Sequence, residues 1–374
     1  MKILLVEMNY FLGGSIWSII SLGKELKKEG NEIFLACPKK SEWKDIEKKS
    51  GFSIIELNAY PWVKSKKYKK DFLFRFKYSI KKIINWFSNF KIKRVILKNK
   101  IDIVHINTLN FQIGISAYKL NVPVVWHIRE FLEEDHGTEF INFSYSKKQI
   151  EKAKALICIS RSVLDKYSKL LNCKSFLVYN GIDSTHFFFN RKSINSSFDY
   201  CIIGRIEESK GQLEAVKAFL KSDAFLFGQS NLNIVGSGDF EYCKIISSLA
   251  SSSKGRVKFL GRSLDVEPVY MKCFVNLVCS KNEAFGRTTV EAMMNGCLVI
   301  ASNTAGSAEI ISDKKTGLLY EEGDESSLIK AMNYVFHNLE ICYSISKNGQ
   351  AHSIEHYSLE KYIDGVKKVY KYCL

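Results

Sequence analysis

The feature that most constrains the fold is an alternation of short apolar, β-branched runs with helical patterns. This alternation predicts parallel strands joined by helices, because a strand covered on both faces reads as a continuous apolar run. One series of predicted strands lies at 2–7, 32–37, 52–57, 102–107, 122–128, 155–160 and 176–179. A second series lies at 198–204, 232–236, 257–261, 275–280, 297–302 and 317–320, and a final helical pattern at 358–372.

The two series are separated by a stretch of different composition. Around 180–198 the chain becomes rich in Gly, Asp, Asn and Ser, and we interpret 186–198 as a linker. The sequence therefore predicts two α/β domains, 1–185 and 199–355, each a doubly wound, Rossmann-like parallel sheet. Ligands bind such sheets beyond the carboxyl ends of the strands, and two sheets that face each other would form a cleft.

Composition limits the partners and the compartment. The chain has 55 Lys and Arg against 39 Asp and Glu, a net charge of +16, which suits nucleic acid, an acidic membrane or a phosphorylated substrate. Its ten cysteines form no CxxC pair or Cys/His cluster, so buried reduced thiols explain them better than zinc or disulfides. The sequence shows neither a signal-peptide core nor an apolar run of spanning length. We expect a cytoplasmic protein, soluble or peripheral on the inner face of the plasma membrane.

The positive charge is concentrated in one segment, 66–100, which has thirteen Lys or Arg and one acid, Asp71. The apolar residues that recur there at helical spacing are Phe72, Phe76, Ile80, Ile83, Phe87 and Phe90, with Arg75, Lys77, Lys81 and Lys82 beside them. One interpretation is ordinary helices that pack on the sheet and present a solvated basic face. The other is a basic amphipathic surface that contacts an anionic bilayer.

The stretch KNEAFGRTTVEAMMNGCLVIAS, 281–302, places two carboxylates around a helix start. Glu283 is expected at the carboxyl end of a strand, and Glu291 about one turn into a helix that ends at Gly296. The backbone N–H groups of the first turn, Gly286–Thr288, are unpaired and form an anion site. This order of groups matches a nucleotide diphosphate sugar, although two surface glutamates beside a helix are commoner than a site.

Other strand ends carry weaker candidates. In GRIEESKG, Arg205 and Lys210 stand where two cations can neutralise a pyrophosphate, although cations on loops are usually only solvated. Gly13 and Gly14 let the backbone approach a ligand or form a plain turn, and they lack the GxGxxG spacing of a dinucleotide fingerprint. His127 ends a predicted strand, where a structural role is the commoner one.

The stretch EAFGRTTVEAMMNGCLVIASNTAGSAEIISDKKTGLLY, 283–320, closely resembles the donor-site signature of retaining GT-B glycosyltransferases of the group-one (family 4-like) family. The family pattern is Glu, seven residues and Glu, then a Gly-ended helix, a strand, a Gly turn, EII and TGLL. This sequence departs from it at Leu298, where Pro is usual, and at Ala305, where Gly is common. The resemblance covers nearly the whole chain and is most specific over 199–320.

The resemblance implies a role for each candidate residue. Glu283 would bind the sugar hydroxyls and Glu291 the ribose, while Arg205 and Lys210 would hold the diphosphate. A glycine loop such as Gly13 and Gly14 lies against the donor phosphate and the acceptor in the family, and a His such as His127 lines the sugar pocket. The other implied substrate contacts are Phe285, Gly286, Arg287, Thr288 and, near the nucleobase, Arg262. Arg129 and Glu130 replace the common Asp after the His, and their roles stay open.

The implied activity is that of a retaining, metal-independent hexosyltransferase. It would move a sugar from a UDP- or GDP-linked donor to an acceptor hydroxyl by same-face attack, without a cofactor, the leaving phosphate helping to deprotonate the acceptor. Domain closure would exclude water, and the last helix, 356–374, would cross back to the first domain. Together with the basic segment, this favours a glycan or lipid-linked acceptor in capsule, exopolysaccharide or lipopolysaccharide biosynthesis.

Three alternative functions come from other classes of protein. A GT-B-fold sugar-nucleotide epimerase would share the architecture, but it needs no acceptor and lacks the paired motifs. A phosphorylase would carry a lysine for pyridoxal phosphate in a much longer chain. A nucleic-acid-binding protein would need a recognised nucleic-acid fold, which charge alone does not supply, so we expect no nucleic-acid partner.

Overall fold

The computed structural model describes residues 1–10, 13–39, 50–66, 72–185, 188–189, 198–263 and 265–374. The chain forms two compact units. Unit 1 consists of Met1–Gly181 and Glu360–Leu374, and unit 2 consists of Ile182–Leu359. Most of the predicted linker, at 186–187 and 190–197, lies outside the described residues. None of the described helices is both long enough and apolar enough to cross a membrane.

The structure describes fifteen strands, of which thirteen fall where the apolar runs predict them, with ends shifted by at most two residues. They are β1 (Lys2–Val6), β2 (Glu32–Pro38), β3 (Ser53–Leu57), β4 (Val63–Ser65), β5 (Ile103–Ile106), β6 (Val124–Ile128), β7 (Thr138–Phe140), β8 (Ala155–Cys158), β9 (Ser175–Leu177), β10 (Asp199–Ile203), β11 (Leu232–Val235), β12 (Val257–Gly261), β13 (Cys273–Val278), β14 (Leu298–Ser302) and β15 (Leu318–Tyr320).

The described helices connect these strands. They are α1 (Gly14–Lys28), α2 (Phe72–Asn99), α3 (Glu133–His136), α4 (Phe143–Ile150), α5 (Arg161–Leu170), α6 (Gln212–Lys221), α7 (Asp223–Leu226), α8 (Phe240–Ala250), α9 (Glu267–Lys272), α10 (Arg287–Met294), α11 (Ala305–Ile310), α12 (Glu325–His337), α13 (Leu339–Tyr357) and α14 (Leu359–Cys373). Short 3₁₀ turns occur at Ile115–Leu120, Glu208–Lys210 and Ser251–Ser253.

Unit 1 is built on a seven-stranded sheet in the order β3-β2-β1-β5-β6-β8-β9. Its neighbouring strands are all parallel. From β1 the chain winds outward through β2 and β3, and from β5 it winds the other way. The winding direction therefore reverses between β1 and β5, which is where such sheets bind ligands.

Unit 2 repeats this plan with a six-stranded sheet in the order β12-β11-β10-β13-β14-β15. Its strands are also parallel, and its winding reverses between β10 and β13. The side chains of β13 and β14 are buried throughout. Burying one aliphatic side chain contributes about 1.5–3 kcal/mol, so these mainly apolar runs specify the centre of the sheet. The predicted α/β fold with two doubly wound sheets is confirmed.

Two further features of unit 1 bear on the expectations. The strands β4 and β7 form an antiparallel ribbon that the sequence did not predict. Each is only three residues long and partly exposed, so neither leaves an apolar run to detect. Of the two interpretations of the basic segment, the one with an exposed amphipathic surface fits the structure better, because 72–99 is one continuous helix whose large apolar side chains are mostly exposed.

Candidate active site

The candidate donor residues of unit 2 lie beyond two adjacent strands at the point where the winding reverses. Arg205 and Lys210 follow β10, while Glu283 and Glu291 follow β13. The two strands are paired in parallel, with Tyr200 opposite Val275. Because both strands end at the same edge of the sheet, their loops meet there.

Close backbone packing holds the first loop against the exit of β13. Gly211 has φ +70°, and a Cβ atom there would lie 2.1 Å from the carbonyl oxygen of Cys279. The Lys281 N–H also donates to the carbonyl oxygen of Ser209 at 3.0 Å. Only glycine satisfies both the left-handed conformation and this approach, so the GR…KG spacing fixes where Lys210 stands.

The structure brings Lys210 and Glu283 into direct contact. The Lys210 ammonium donates to Glu283 Oε2 at 2.7 Å, and the two side chains are 30% and 19% exposed. Arg205 shares the loop, but its guanidinium is 66% exposed and lies 3.5 Å from Glu207. One cation of the predicted pair therefore contacts the Glu283 carboxylate, and the other lies largely exposed beside Glu207.

The helix α10 begins directly beside this pair. Gly286 has φ +97° and precedes the helix, and no side chain caps that end in the described part of the chain. Gly306 packs beneath the loop, where its N–H donates to the carbonyl oxygen of Glu283 at 2.8 Å. The positive end of the α10 dipole is thus presented next to Lys210 and Glu283.

Phe285 and Thr288 would contact a ligand mainly through their backbone atoms. The Phe285 ring is buried and makes an edge contact with Tyr357 at 5.7 Å. The Thr288 carbonyl accepts a hydrogen bond from the Tyr270 hydroxyl at 3.4 Å.

Glu291 lies in the second turn of α10 and is buried. Arg287 Nη2 donates to Glu291 Oε1 at 2.9 Å, one helical turn away. Burial raises the pKa of the Glu291 carboxyl above its usual range, and the charge and hydrogen bond of Arg287 oppose that rise. A ligand hydroxyl that binds this carboxylate would share it with the guanidinium of Arg287.

Arg262 lies farther from the other candidates. It follows β12, an edge strand that is separated from β10 by β11. Two strand spacings amount to about 10 Å. Arg262 is exposed, and the preceding Gly261 carbonyl accepts from the Gly236 N–H at 2.8 Å. This separation suits a contact with the far end of an extended ligand.

The reversal point of unit 1 carries a buried polar network that the sequence analysis missed. Glu7 follows β1 and Asn107 follows β5, and both are fully buried. Asn107 donates to Glu7 Oε2 at 2.6 Å, and Arg129 Nε donates to Asn107 Oδ1 at 2.6 Å. The signal for these residues is their place immediately after the two strands between which the winding reverses.

This network positions the predicted glycine loop. Asn107 Nδ2 donates to the Ser15 carbonyl at 3.1 Å, which ties the first turn of α1 to β5. Gly13 is exposed and caps α1 with φ −156°, a conformation open to any residue, so space rather than backbone geometry would require glycine there. Gly14 is the first residue of α1.

His127 is completely buried, and its predicted part in lining a sugar pocket stays a prediction. Arg129 Nη2 lies 3.2 Å from His127 Nδ1, and a guanidinium can only donate, so Nδ1 accepts. The imidazole proton is then on Nε2, which has no partner among the described residues. Burial, followed by the charge of Arg129, lowers the pKa of His127 well below its usual value, so the ring is neutral.

The roles of Arg129 and Glu130 were left open by the sequence. In the structure both side chains are held by hydrogen bonds inside unit 1. Arg129 also donates to the Tyr362 hydroxyl of α14 at 2.8 Å, so it joins the sheet to the last helix. Glu130 Oε1 accepts from the Thr108 hydroxyl and the Leu109 N–H, each at 2.7 Å. Burial raises the pKa of Glu130 to about 7, despite these two hydrogen bonds.

Comparisons with known proteins define the class. Residues 184–352 match the family of group 1 glycosyl transferases, and residues 12–186 match glycosyltransferase family 4. The fold superposes on that of HepE from Anabaena, solved in complex with UDP, with a TM-score of 0.82 at 19% identity over 99% of this chain and 100% of HepE. Fold and family together define a GT-B glycosyltransferase that uses a nucleotide-sugar donor. The chain belongs to the group 1, family 4 glycosyltransferases.

Two relatives extend over most of the chain. A glycosyltransferase of Methanocaldococcus jannaschii with no assigned activity is 28% identical over 281 residues, which are 74% of this chain and 70% of the relative. The UDP-Gal:alpha-D-GlcNAc-diphosphoundecaprenol alpha-1,3-galactosyltransferase of Escherichia coli is 25% identical over 300 residues, 74% of this chain and 77% of that protein.

Proposed function

We propose that the protein transfers a hexose, with retention of configuration, from a nucleotide diphosphate sugar to a hydroxyl of a lipid-linked or growing surface glycan. The observation that carries this proposal is the contact of Lys210 with Glu283, 2.7 Å long, at the reversal point of unit 2 and beside the uncapped start of α10. A cation, a carboxylate and a helix N-terminus in one place match the pyrophosphate and sugar of such a donor.

In this proposal the cations bind the pyrophosphate. Lys210 is partly exposed, so a phosphate oxygen can reach its ammonium without displacing the loop. The first-turn amides of α10 bind the same group, and Arg205 turns from Glu207 towards it. Fixed donors of this kind are worth roughly 3–4 kcal/mol each in a water-poor site, which would stabilise the leaving diphosphate without a metal ion.

The carboxylates bind the two ends of the donor. Glu283, held by Lys210, accepts hydrogen bonds from sugar hydroxyls and so orients the anomeric carbon. Glu291, oriented by Arg287, accepts from the ribose hydroxyls. Arg262 contacts the nucleobase. Because HepE was solved with UDP, a UDP-linked sugar is the first donor to test.

The acceptor is proposed from the relatives and from charge. The Escherichia coli relative acts, by its name, on a sugar linked to diphosphoundecaprenol. An acceptor that carries a diphosphate on a lipid suits a chain with a net charge of +16. We therefore expect a polyprenyl diphosphate-linked glycan in surface polysaccharide biosynthesis, made at the inner face of the membrane.

A donor panel tests this function. Binding of UDP, GDP, ADP and dTDP is measured by calorimetry, and UDP- and GDP-hexoses are then incubated with and without a synthetic polyprenyl diphosphate glycan. The proposal predicts tight binding of one nucleotide and a product that forms only with the acceptor, with the anomeric configuration of the donor retained in its NMR spectrum. A sugar nucleotide epimerised without acceptor would support the epimerase instead. Binding of none of the nucleotides would contradict both.

A further inference from the structure

The helix α2 packs on its own unit through a face that contains several polar residues, and it leaves large apolar side chains exposed. The side chains that point inward include three polar residues, Asn85, Ser88 and Asn89. Asn85 Nδ2 donates to the Tyr60 carbonyl at 2.9 Å, and Ser88 Oγ donates to the Asn58 carbonyl at 2.5 Å. Asn89 accepts from the Gly114 N–H at 3.1 Å. Hydrogen bonds, together with the buried Ile92 and Ile96, therefore fasten the helix to unit 1.

The opposite face is apolar and exposed. Its exposed large residues are Phe76 (59%), Ile80 (46%), Ile83 (56%), Trp86 (62%), Phe87 (60%), Phe90 (43%) and Leu97 (58%). At 3.6 residues per turn, most of these residues share one sector of the helix. Trp86 and Phe90 stack with ring centroids 6.0 Å apart, and the Arg94 guanidinium lies 4.6 Å from the centre of the Phe90 ring. A contiguous apolar surface of this kind marks a binding face.

Positive side chains border this apolar face on both sides. The helix carries eight Lys or Arg and no Asp or Glu. Lys82 and Lys93 lie along one edge of the apolar sector, and Lys77 and Lys91 lie along the other. The arrangement of an apolar centre between two basic edges is that of a helix that lies in the plane of an anionic membrane. A second copy of the face would instead bring lysines against lysines.

We propose that the outward face of α2, centred on Ile83, Trp86 and Phe87, docks on the surface of an anionic lipid bilayer. The apolar side chains enter the boundary between headgroups and acyl chains, and the bordering lysines pair with lipid phosphates. The helix lies on the membrane and does not cross it. This inference does not depend on the donor site, which belongs to unit 2.

Vesicle binding tests the proposal with the full chain. We expect the protein to sediment with vesicles of phosphatidylcholine mixed with phosphatidylglycerol, to bind vesicles of phosphatidylcholine alone far more weakly, and to dissociate as salt screens the charges. Trp86 fluorescence shifts to the blue on binding. Trp86→Phe loses that shift and still sediments, because the apolar area is kept.

Two sets of variants separate this face from other surfaces. The triple variant Phe76→Gln, Ile83→Gln, Phe87→Gln weakens binding to the anionic vesicles by roughly tenfold or more, because half-exposed side chains no longer gain apolar contact. The control Leu226→Gln, Phe227→Gln changes side chains that are 57% and 76% exposed on unit 2, and it binds as the wild type does. UDP affinity, measured by calorimetry, stays unchanged in both, which separates failure of this inference from failure of the proposed function.

Several results would overturn the proposal. One is a triple variant that folds, as judged by circular dichroism, and still binds anionic vesicles like the wild type. Another is equal binding to neutral and anionic vesicles. A dimer in sedimentation velocity without lipid that the triple variant abolishes would assign the face to self-association, and salt-sensitive RNA retention on filters that it abolishes would assign the face to nucleic acid.

Discussion

Replacing Glu283 with glutamine should change nucleotide binding and sugar transfer in opposite directions. Without donor, the Glu283 carboxylate lies 2.7 Å from the Lys210 ammonium. A phosphate oxygen bound by the same ammonium would be about 2.8 Å beyond it, which places the two anions about 5 Å apart. The substitution removes this anionic neighbour from the phosphate and keeps the size of the side chain.

The size of the effect follows from that distance. Two unit charges 5 Å apart interact by about 1 kcal/mol with water-like screening and by about 3 kcal/mol at an effective dielectric constant of 20. Because the two side chains are only 30% and 19% exposed, the lower figure is a minimum, and UDP should bind at least about fivefold more tightly to Glu283→Gln. Transfer should fall at least tenfold in kcat/KM, since a hydrogen bond from a sugar hydroxyl to a charged acceptor is worth about 1.5–3 kcal/mol.

Calorimetry with UDP and a transfer assay with the preferred donor measure the two effects. The matched control is Glu325→Gln, which takes the carboxylate away from Lys221, 2.5 Å from it, and should alter neither quantity. A Glu283→Gln protein that binds UDP more weakly than the wild type, or that transfers sugar at the wild-type rate, would refute the reasoning.

Two further predictions concern stability. The pKa of Glu130 is raised to about 7 in the folded protein. The wild type is therefore most stable below the unfolded pKa of about 4.5, where both states are protonated, and it loses stability as pH rises to 7, because the unfolded chain ionises first. Glu130→Gln should therefore gain up to about 3 kcal/mol relative to the wild type between pH 4.5 and 7 in urea titrations, and a difference independent of pH would be inconsistent with this. Ala305 adopts φ +38° where the family commonly has glycine, so Ala305→Gly should raise stability by about 0.5–1 kcal/mol, read as a higher Tm; a lower Tm would show that the backbone there is not strained.

The sheets were predictable because their strands are buried on both faces. Runs such as those of β13 and β14 leave a mainly apolar pattern, which in β13 only Asn276 interrupts, and glycines such as Gly296, with φ +68°, mark where helices stop. The ribbon of β4 and β7 was not predictable from such patterns, because the pairing of Lys64 with Glu139 and the short register exist only in the folded chain.

The side chains at the candidate sites were only partly predictable. The resemblance to a donor-site signature assigned Lys210 and Glu283 to one site, but their direct contact depends on the pairing of β10 with β13, which the spacing along the sequence does not give. The spacing could not give the burial of His127 or the hydrogen bonds from Glu7 through Asn107 to Arg129. These depend on how the ends of β1, β5 and β6 lie side by side in the sheet. Helical periodicity likewise found the apolar stripe of α2, but not that polar residues hold the other face.

The central claim, that Lys210 binds the donor diphosphate, is tested most directly by kcat/KM for the preferred nucleotide sugar in Lys210→Ala. The comparison is Lys221→Ala, which removes a lysine from a carboxylate contact elsewhere in unit 2 that is 2.5 Å long, against 2.7 Å for Lys210. The account predicts a fall of about 10²–10³-fold in the first variant and less than twofold in the second. Equal activity of the two variants would contradict it.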